Sequence, residues 1–303
     1  MKNPKILVPL DFSELSEQAL ITAASLAERL GGTVTPFHAY IPVTDLDGFY
    51  YVGSGISHHE KYTEIENVLR ARLEETARKA VPSGLLTGSL LDVGNPARAI
   101  LYNAEKYDLV VMGTHGRTGF SRFIIGSVTE KILRLCRKPV ITVTAKSSLG
   151  NLASLLVTTD FSDNAQCVFP FASHIAQVAG ATIHLVHIIS DEQLFGSSAA
   201  GELAARRRKD LRETADHFFH QVRDQVSIDV VTGNRAPHLE ITDLAKRVGH
   251  DMVFISAAGH SGLGNYMMGS TASQVMRRIN KVVFSVNPQG ISPQEAEKMQ
   301  DDS

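Results

Sequence analysis

The sequence predicts an α/β protein of two tandem domains, each a five-stranded parallel sheet with helices on both faces. Three observations lead there. The chain has 303 residues, and at ~100–200 residues per domain that length suggests two. One set of landmarks occurs twice in the same order. Val8-Pro9-Leu10-Asp11-Phe12-Ser13 returns as Val157-Thr158-Thr159-Asp160-Phe161-Ser162, Gly94-Asn95 as Gly233-Asn234, and Gly116, Gly126 and Ser127 as Gly259, Gly269 and Ser270. The offsets of 149, 139 and 143 residues differ only by loop-sized amounts, and the repeat is too long for a solenoid. Within each copy, short β-rich apolar runs alternate with stretches of helical spacing, as in a parallel sheet joined by helical crossovers.

In the first copy, Lys5–Leu10 reads as a strand, and Ser13 is the expected N-cap of an amphipathic helix that stops at Gly31-Gly32. Thr33–Tyr40 is the second strand. A polar loop with Gly48, Gly53 and Gly55 leads to a helix over Glu60–Lys79, where Ile65, Val68, Leu69 and Leu73 keep helical spacing. Leu85–Leu91 reads as the third strand. Pro96 opens a helix to Lys106, since proline suits a first helical turn. Asp108–Gly113 and Val140–Thr144 are the last two strands, with a helix from Ser127 between them. The polar stretch Lys146–Asn151 is the expected linker. It divides the chain into domains 1–148 and 149–287, followed by a polar tail, 288–303.

Composition narrows the function. Hydrophobic residues at 43% and charged residues at 20% suit a chain with a real core. A net charge of -2 offers no global attraction for nucleic acid or an anionic membrane, so neither is expected as a partner. No apolar run approaches the ~20 residues of a spanning helix, and Ile6-Leu7-Val8 is too short for a signal-peptide core. Cys136 and Cys167 show no disulfide or zinc spacing, which fits a reducing compartment. The expected location is cytoplasmic.

The sharpest chemical signal is Gly113-Thr114-His115-Gly116, nine residues, then Gly126-Ser127, set between an apolar strand and a helix. Glycines let backbone approach a bulky anion, and free N–H groups at a helix start favour phosphate. Ser127 adds a hydroxyl, and Arg117 or Arg122 would add positive charge. The plainer reading is a glycine-rich turn with Ser127 capping its helix. Neither G-x-x-x-x-G-K-[ST] nor a Rossmann G-x-G-x-x-G after the first strand occurs. Asp11, after the first strand, also has a plainer reading as a helix cap.

Gly113, Gly116, Gly126 and Ser127 fill the pattern G-x2-G-x9-G-[ST] without a gap. With Gly-Arg-Thr-Gly-Phe around the loop and Asp11-Phe12-Ser13 after strand one, the chain resembles the universal stress protein family, tandem two-domain type, over essentially its whole length. The resemblance implies Rossmann-like, adenine nucleotide α-hydrolase-like domains that bind ATP or a related adenine nucleotide. By it, Asp11 lies beside the ribose and any nucleotide-bound Mg, Pro9 and Leu10 line the adenine side, and Ala39 approaches the base. Met112 and Gly113 flank the nucleotide, and Gly116, Gly126, Ser127 and Val128 hold the phosphates, with Arg117 nearby. In the second copy the candidates are Asp160, Gly259, Gly269, Ser270 and Thr271. That copy has Ser256 where Gly113 stands and His260 for Arg117, so an altered site is expected there.

Other signals are weaker. His217 and His220 with Glu213 read as a solvated helix face, because metal sites converge three or four ligands. His184 and His187, three apart on a strand, point to opposite faces. Arg206-Arg207-Arg208-Lys209 lacks interleaved aromatics and reads as surface. No catalytic constellation emerges, so a weak ATPase is the most an enzyme reading supports. The leading expectation is an adenine-nucleotide-binding stress-response protein acting through conformation or partners; the alternatives are a nucleotide-free scaffold and a slow ATP hydrolase. Val140–Thr144 and Val282–Val286 are sticky, β-branched edges unless covered. Pairing them inside one chain would make it a pseudo-dimer, and a further homodimer would use other surfaces.

Overall fold

The computed structural model describes residues 3–41, 58–116, 125–190, 200–259 and 268–291. The first half runs β1 (Lys5–Pro9), α1 (Glu14–Leu30), β2 (Thr33–Tyr40), α2 (His58–Ala80), β3 (Leu90–Val93), α3 (Pro96–Ala104), β4 (Leu109–Gly113), α4 (Ser127–Leu135) and β5 (Val140–Val143). The second repeats it: β6 (Ser154–Thr158), a single turn α5 (Asp163–Gln166) and α6 (Phe169–Ala179), β7 (Thr182–Ser190), α7 (Ala200–Phe218), β8 (Val226–Gly233), α8 (Pro237–Val248), β9 (Met252–Ser256), α9 (Ser270–Arg278) and β10 (Val282–Val286).

Local chemistry sets these limits. The Ser13 hydroxyl accepts the Ser16 N–H and caps α1, which ends where Gly31 turns left-handed at φ 67°. Asn95 caps α3 by accepting the Arg98 N–H, and Pro96 occupies its first turn. The third strand departs from expectation: Ser83–Leu85 is a 3-10 turn, and Leu86 makes only an isolated bridge to Val34. Pairing with β2 begins at Leu90, beyond the positive φ of Gly88. The helix after Pro96 also stops early, because the Lys106 and Tyr107 N–H groups close tight turns onto Asn103 and Ala104.

All ten strands form one sheet, in the order β3-β2-β1-β4-β5-β10-β9-β6-β7-β8. Each half is parallel throughout, and the halves meet where β5 and β10 run antiparallel. Two bonds, Val110 N–H to the Pro139 carbonyl and Thr114 N–H to the Val143 carbonyl, turn the odd positions of β5 toward β4. By strand alternation Val140 and Thr142 therefore face β10, opposite Ser285 and Val283. Both seam strands are buried along their whole length. Phe284 stacks on Phe254 at 4.8 Å and tilts against Phe171 at 5.4 Å. A buried apolar cluster on each face of the sheet draws residues from both halves.

The linker is held. Ser147, Leu149 and Leu152 are buried, and the Arg29 guanidinium donates to the carbonyls of Asn151 and Gly150 at 3.0 and 3.3 Å. Both cysteines are buried, and burial pushes the Cys136 and Cys167 thiols up to about 11 and about 12, which keeps them unreactive. Among the described residues no helix is long and apolar enough to cross a membrane.

The seam makes a directional prediction. Val283→Pro or Thr142→Pro removes a donor from the β5–β10 ladder and should loosen the halves. Limited proteolysis then cuts faster within 144–151, and scattering shows a longer particle. Ile141→Pro breaks the β4 ladder instead. A Val283→Pro chain with wild-type cleavage and shape would contradict the pairing.

Candidate functional site

The carboxyl ends of β1, β2 and β4 open onto one cavity of about 290 Å³, where ligands bind in open parallel sheets. β1 ends at Pro9, and the chain turns sharply through Asp11 and Phe12, whose φ is +61°. A left-handed phenylalanine is rare, and here the ring is fixed from both sides. Phe12 lies 4.5 Å from His38, and the Arg72 guanidinium sits 4.5 Å above its face. His38 Nδ1 lies 2.6 Å from the Leu10 carbonyl, which can only accept, so that nitrogen carries the proton.

Asp11 is not the cap of α1, because Ser13 has that place. Its Oδ1 accepts the Ser13 N–H at 3.1 Å and the Ser13 hydroxyl at 2.5 Å. Its Oδ2 faces Gly116 so closely that a Cβ there would collide with it. Gly113 is needed for space as well, since a Cβ would meet Leu15 Cγ at 2.8 Å. The loop returns where the Gly126 N–H bonds the Thr114 carbonyl at 2.7 Å. Gly126 is the N-cap of α4, and among the described residues no side chain caps that helix. Ser127 is therefore its first helical residue rather than its cap. The helix thus starts with N–H groups that lack intrahelical partners, beside a cavity. Thr129 pins the loop by donating to the Gly113 carbonyl at 2.8 Å.

Pro9, Leu10, Asp11, Ala39, Met112, Gly113, Gly116, Gly126, Ser127 and Val128 all line this cavity. Arg117 and Arg122 lie outside the described residues. Sequence reasoning missed Phe37, His38, Pro96 and Ile100 in the wall. The repeat of Gly94-Asn95 pointed at the start of α3, but only the sheet order shows that this end reaches the cavity.

The second half builds the same frame. Phe161 has φ +63°, packs 4.6 Å from His187, and lies 4.9 Å below the Arg207 guanidinium. Asp160 Oδ1 accepts from Ser162, and Oδ2 faces Gly259. Asp160, Gly259, Gly269, Ser270 and Thr271 line a cavity of about 290 Å³, so the second cavity is not lost. Its lining is altered. Ser256 folds its hydroxyl back to donate to the Ala258 carbonyl at 2.7 Å, and Ala272 stands where Thr129 pins the first loop. Ile188 takes the place of Ala39, and Thr158 and Thr159 those of Pro9 and Leu10. His260 lies outside the described residues.

The sequence profile of the universal stress protein family matches residues 2–144 and again 153–286. The chain belongs to the universal stress protein family. A universal stress protein of Methanocaldococcus jannaschii is 30% identical over 158 residues, covering 48% of this chain and 96% of its own length. One from Synechocystis is 24% identical over 310 residues, covering 94% of this chain and 99% of its own, so its likeness spans both domains. The crystal structure of a universal stress protein from Archaeoglobus fulgidus superimposes with a TM-score of 0.68 at 20% identity, over 95% of this chain and 99% of that one. That likeness supports the fold of the pair of universal stress protein domains.

The histidines outside the cavities do not gather into a metal site among the described residues. His220 Nδ1 meets the His217 carbonyl at the end of α7. His184 instead meets His250, Nδ1 to Nε2, at 3.3 Å, and His250 Nδ1 meets the Ser154 hydroxyl at 2.8 Å. Burial first, then the neighbouring His184 and Lys281, push His250 down to about 4, and burial lowers His184 too. The unfolded chain therefore binds protons that this pair refuses. Stability is full above the ordinary histidine value and falls as pH drops toward about 4. His250→Gln should flatten that part of the denaturation-versus-pH curve; an unchanged slope would contradict the assignment.

The contact between Asp11 and Gly116 is testable by a double-mutant cycle. Gly116→Ala should destabilise the wild type by about 1 kcal/mol through overpacking, and much less in an Asp11→Ala background. Equal costs in both backgrounds would show that the two positions do not touch.

Proposed function

We propose that the first domain binds ATP or a related adenine nucleotide, and that the protein acts in stress response through nucleotide-dependent conformation or partner binding. The observation that carries this is the start of α4 at Gly126, without a side-chain cap among the described residues and facing a cavity that Gly116, Gly126 and Ser127 line. The donor set suits the three parts of such a ligand. N–H groups at the start of α4 and the Ser127 hydroxyl favour phosphate. The Asp11 carboxylate, an acceptor only, suits ribose hydroxyls or a magnesium ion carried by the nucleotide. The apolar wall of Phe37, Ala39 and Ile100 suits the flat base. When bound, the nucleotide supplies the negative charge that completes the loop.

The altered lining of the second cavity favours one tight site per chain. Ile188 places a larger side chain in the wall where Ala39 stands in the first cavity. Mass spectrometry of nucleotide released from the purified, denatured protein should find an adenine nucleotide. Gly126→Val would place a side chain 3.2 Å from the His115 Cα and should cut ATP affinity at least about 100-fold in a folded chain. Gly269→Val should cost far less. Calorimetry showing the reverse order would move the site to the second domain, and no loss in either variant would refute the loop assignment.

A further inference from the structure

A third cavity, of about 270 Å³, lies at the junction of the two halves. On one side are Thr114 and His115 of the first domain's glycine loop; on the other is the last turn of α9, with Arg277 and Arg278. Lys146 of the linker completes the wall, and no carboxylate lines it among the described residues. His115 lines both this cavity and the nucleotide cavity, so the two adjoin.

Cations at a helix C-terminus also complement the helix dipole, and that accounts for two arginines on the last turn of α9. It does not account for the rest. The dipole amounts to about half a negative charge, against three full positive charges in one cavity. Arg277 is half-buried, and its Nε is buried with no hydrogen-bond partner among the described residues. The Thr144 hydroxyl, in the same wall, is buried and unpartnered too.

The symmetry-related position in the other half makes the contrast plain. There Asn287 stands where Thr144 does, and its amide donates to the Arg134 carbonyl at 2.6 Å. The turn that follows packs so closely on Arg137 that a Cβ on Gly290 would meet its Cβ at 3.0 Å. The chain itself fills that position, whereas among the described residues nothing fills this one.

We propose that the junction cavity is a phosphate-class anion site shared by the two domains, in which Arg277 of the second domain holds an anion against the glycine loop of the first. The anion is either free orthophosphate or the distal phosphate of a nucleotide seated in the neighbouring cavity, reached past His115. The first source does not depend on the nucleotide reading. Such an anion would couple the state of the first domain's loop to the second domain through one guanidinium.

The test is calorimetry on the full chain with inorganic phosphate, AMP and ATP in turn, comparing wild type with Arg277→Gln, Arg277→Lys and Lys146→Gln. For free phosphate, Arg277→Gln weakens orthophosphate binding at least about tenfold, as expected for one charge-assisted contact, and leaves ATP unchanged. For the distal phosphate, it weakens ATP about tenfold and leaves AMP unchanged. In either case Arg277→Lys recovers part of the loss, and added salt weakens binding. If Arg277→Gln does not fold, Lys146→Gln, an exposed substitution, carries the same comparison. The proposal is overturned if wild type neither binds orthophosphate nor prefers ATP to AMP. It is equally overturned if folded variants match wild type in both respects.

Discussion

The antiparallel pairing of β5 with β10 is the contact on which this architecture rests. Each half alone would end its sheet in an apolar, β-branched strand with unpaired N–H and C=O groups, a surface that invites aggregation. Pairing the two edges removes the liability twice over and extends both faces of the core through the seam. It also fixes geometry. Because β4 neighbours β5 and β9 neighbours β10, both glycine loops emerge close to the seam. The end of α9 is thereby brought against the first loop, and the end of α4 is covered by the turn after β10.

Within each half, the site is organised by a turn that ordinary backbone preference disfavours. Phe12 and Phe161 both adopt left-handed φ, and both are held between a histidine and an arginine. A non-glycine residue in that region costs of order 1–3 kcal/mol, so the stack offsets a real penalty. In return the aspartate carboxylate is fixed at one end to the following serine and faces the loop glycine at the other. The same frame in both halves therefore carries two different linings. The first has Pro9, Leu10 and Ala39 in its wall; the second has Thr158, Thr159 and Ile188 in their places.

Much of this was legible in the sequence because its causes are local. The Ser13 cap, the Pro96 helix start and the seam strand Val282–Val286 follow from side-chain chemistry or periodicity within a few residues, and they stand where expected. The third strand was misread because its apolar run is interrupted by a turn and by a left-handed glycine, and only pairing with β2 decides which residues join the sheet. Ten expected site residues meet in one cavity because they fall at the carboxyl ends of β1, β2 and β4 or on the loop and first turn of α4 that follow β4. Phe37 and His38 on β2 and Ile100 on α3 escaped notice because only the packing of these two elements beside the end of β1 brings them to the cavity. Ser256 pointed to an altered site, and the way its hydroxyl folds back onto its own loop is not visible in a sequence.

The central claim, that the first domain's loop and not the second's grips a nucleotide, is tested most directly by amide hydrogen exchange on the intact chain with and without ATP. The account predicts slowed exchange at residues 113–116 and 126–129 on adding ATP, with no comparable change at 256–259 and 269–272. Protection confined to the second set, or absent from both at saturating nucleotide, would contradict it.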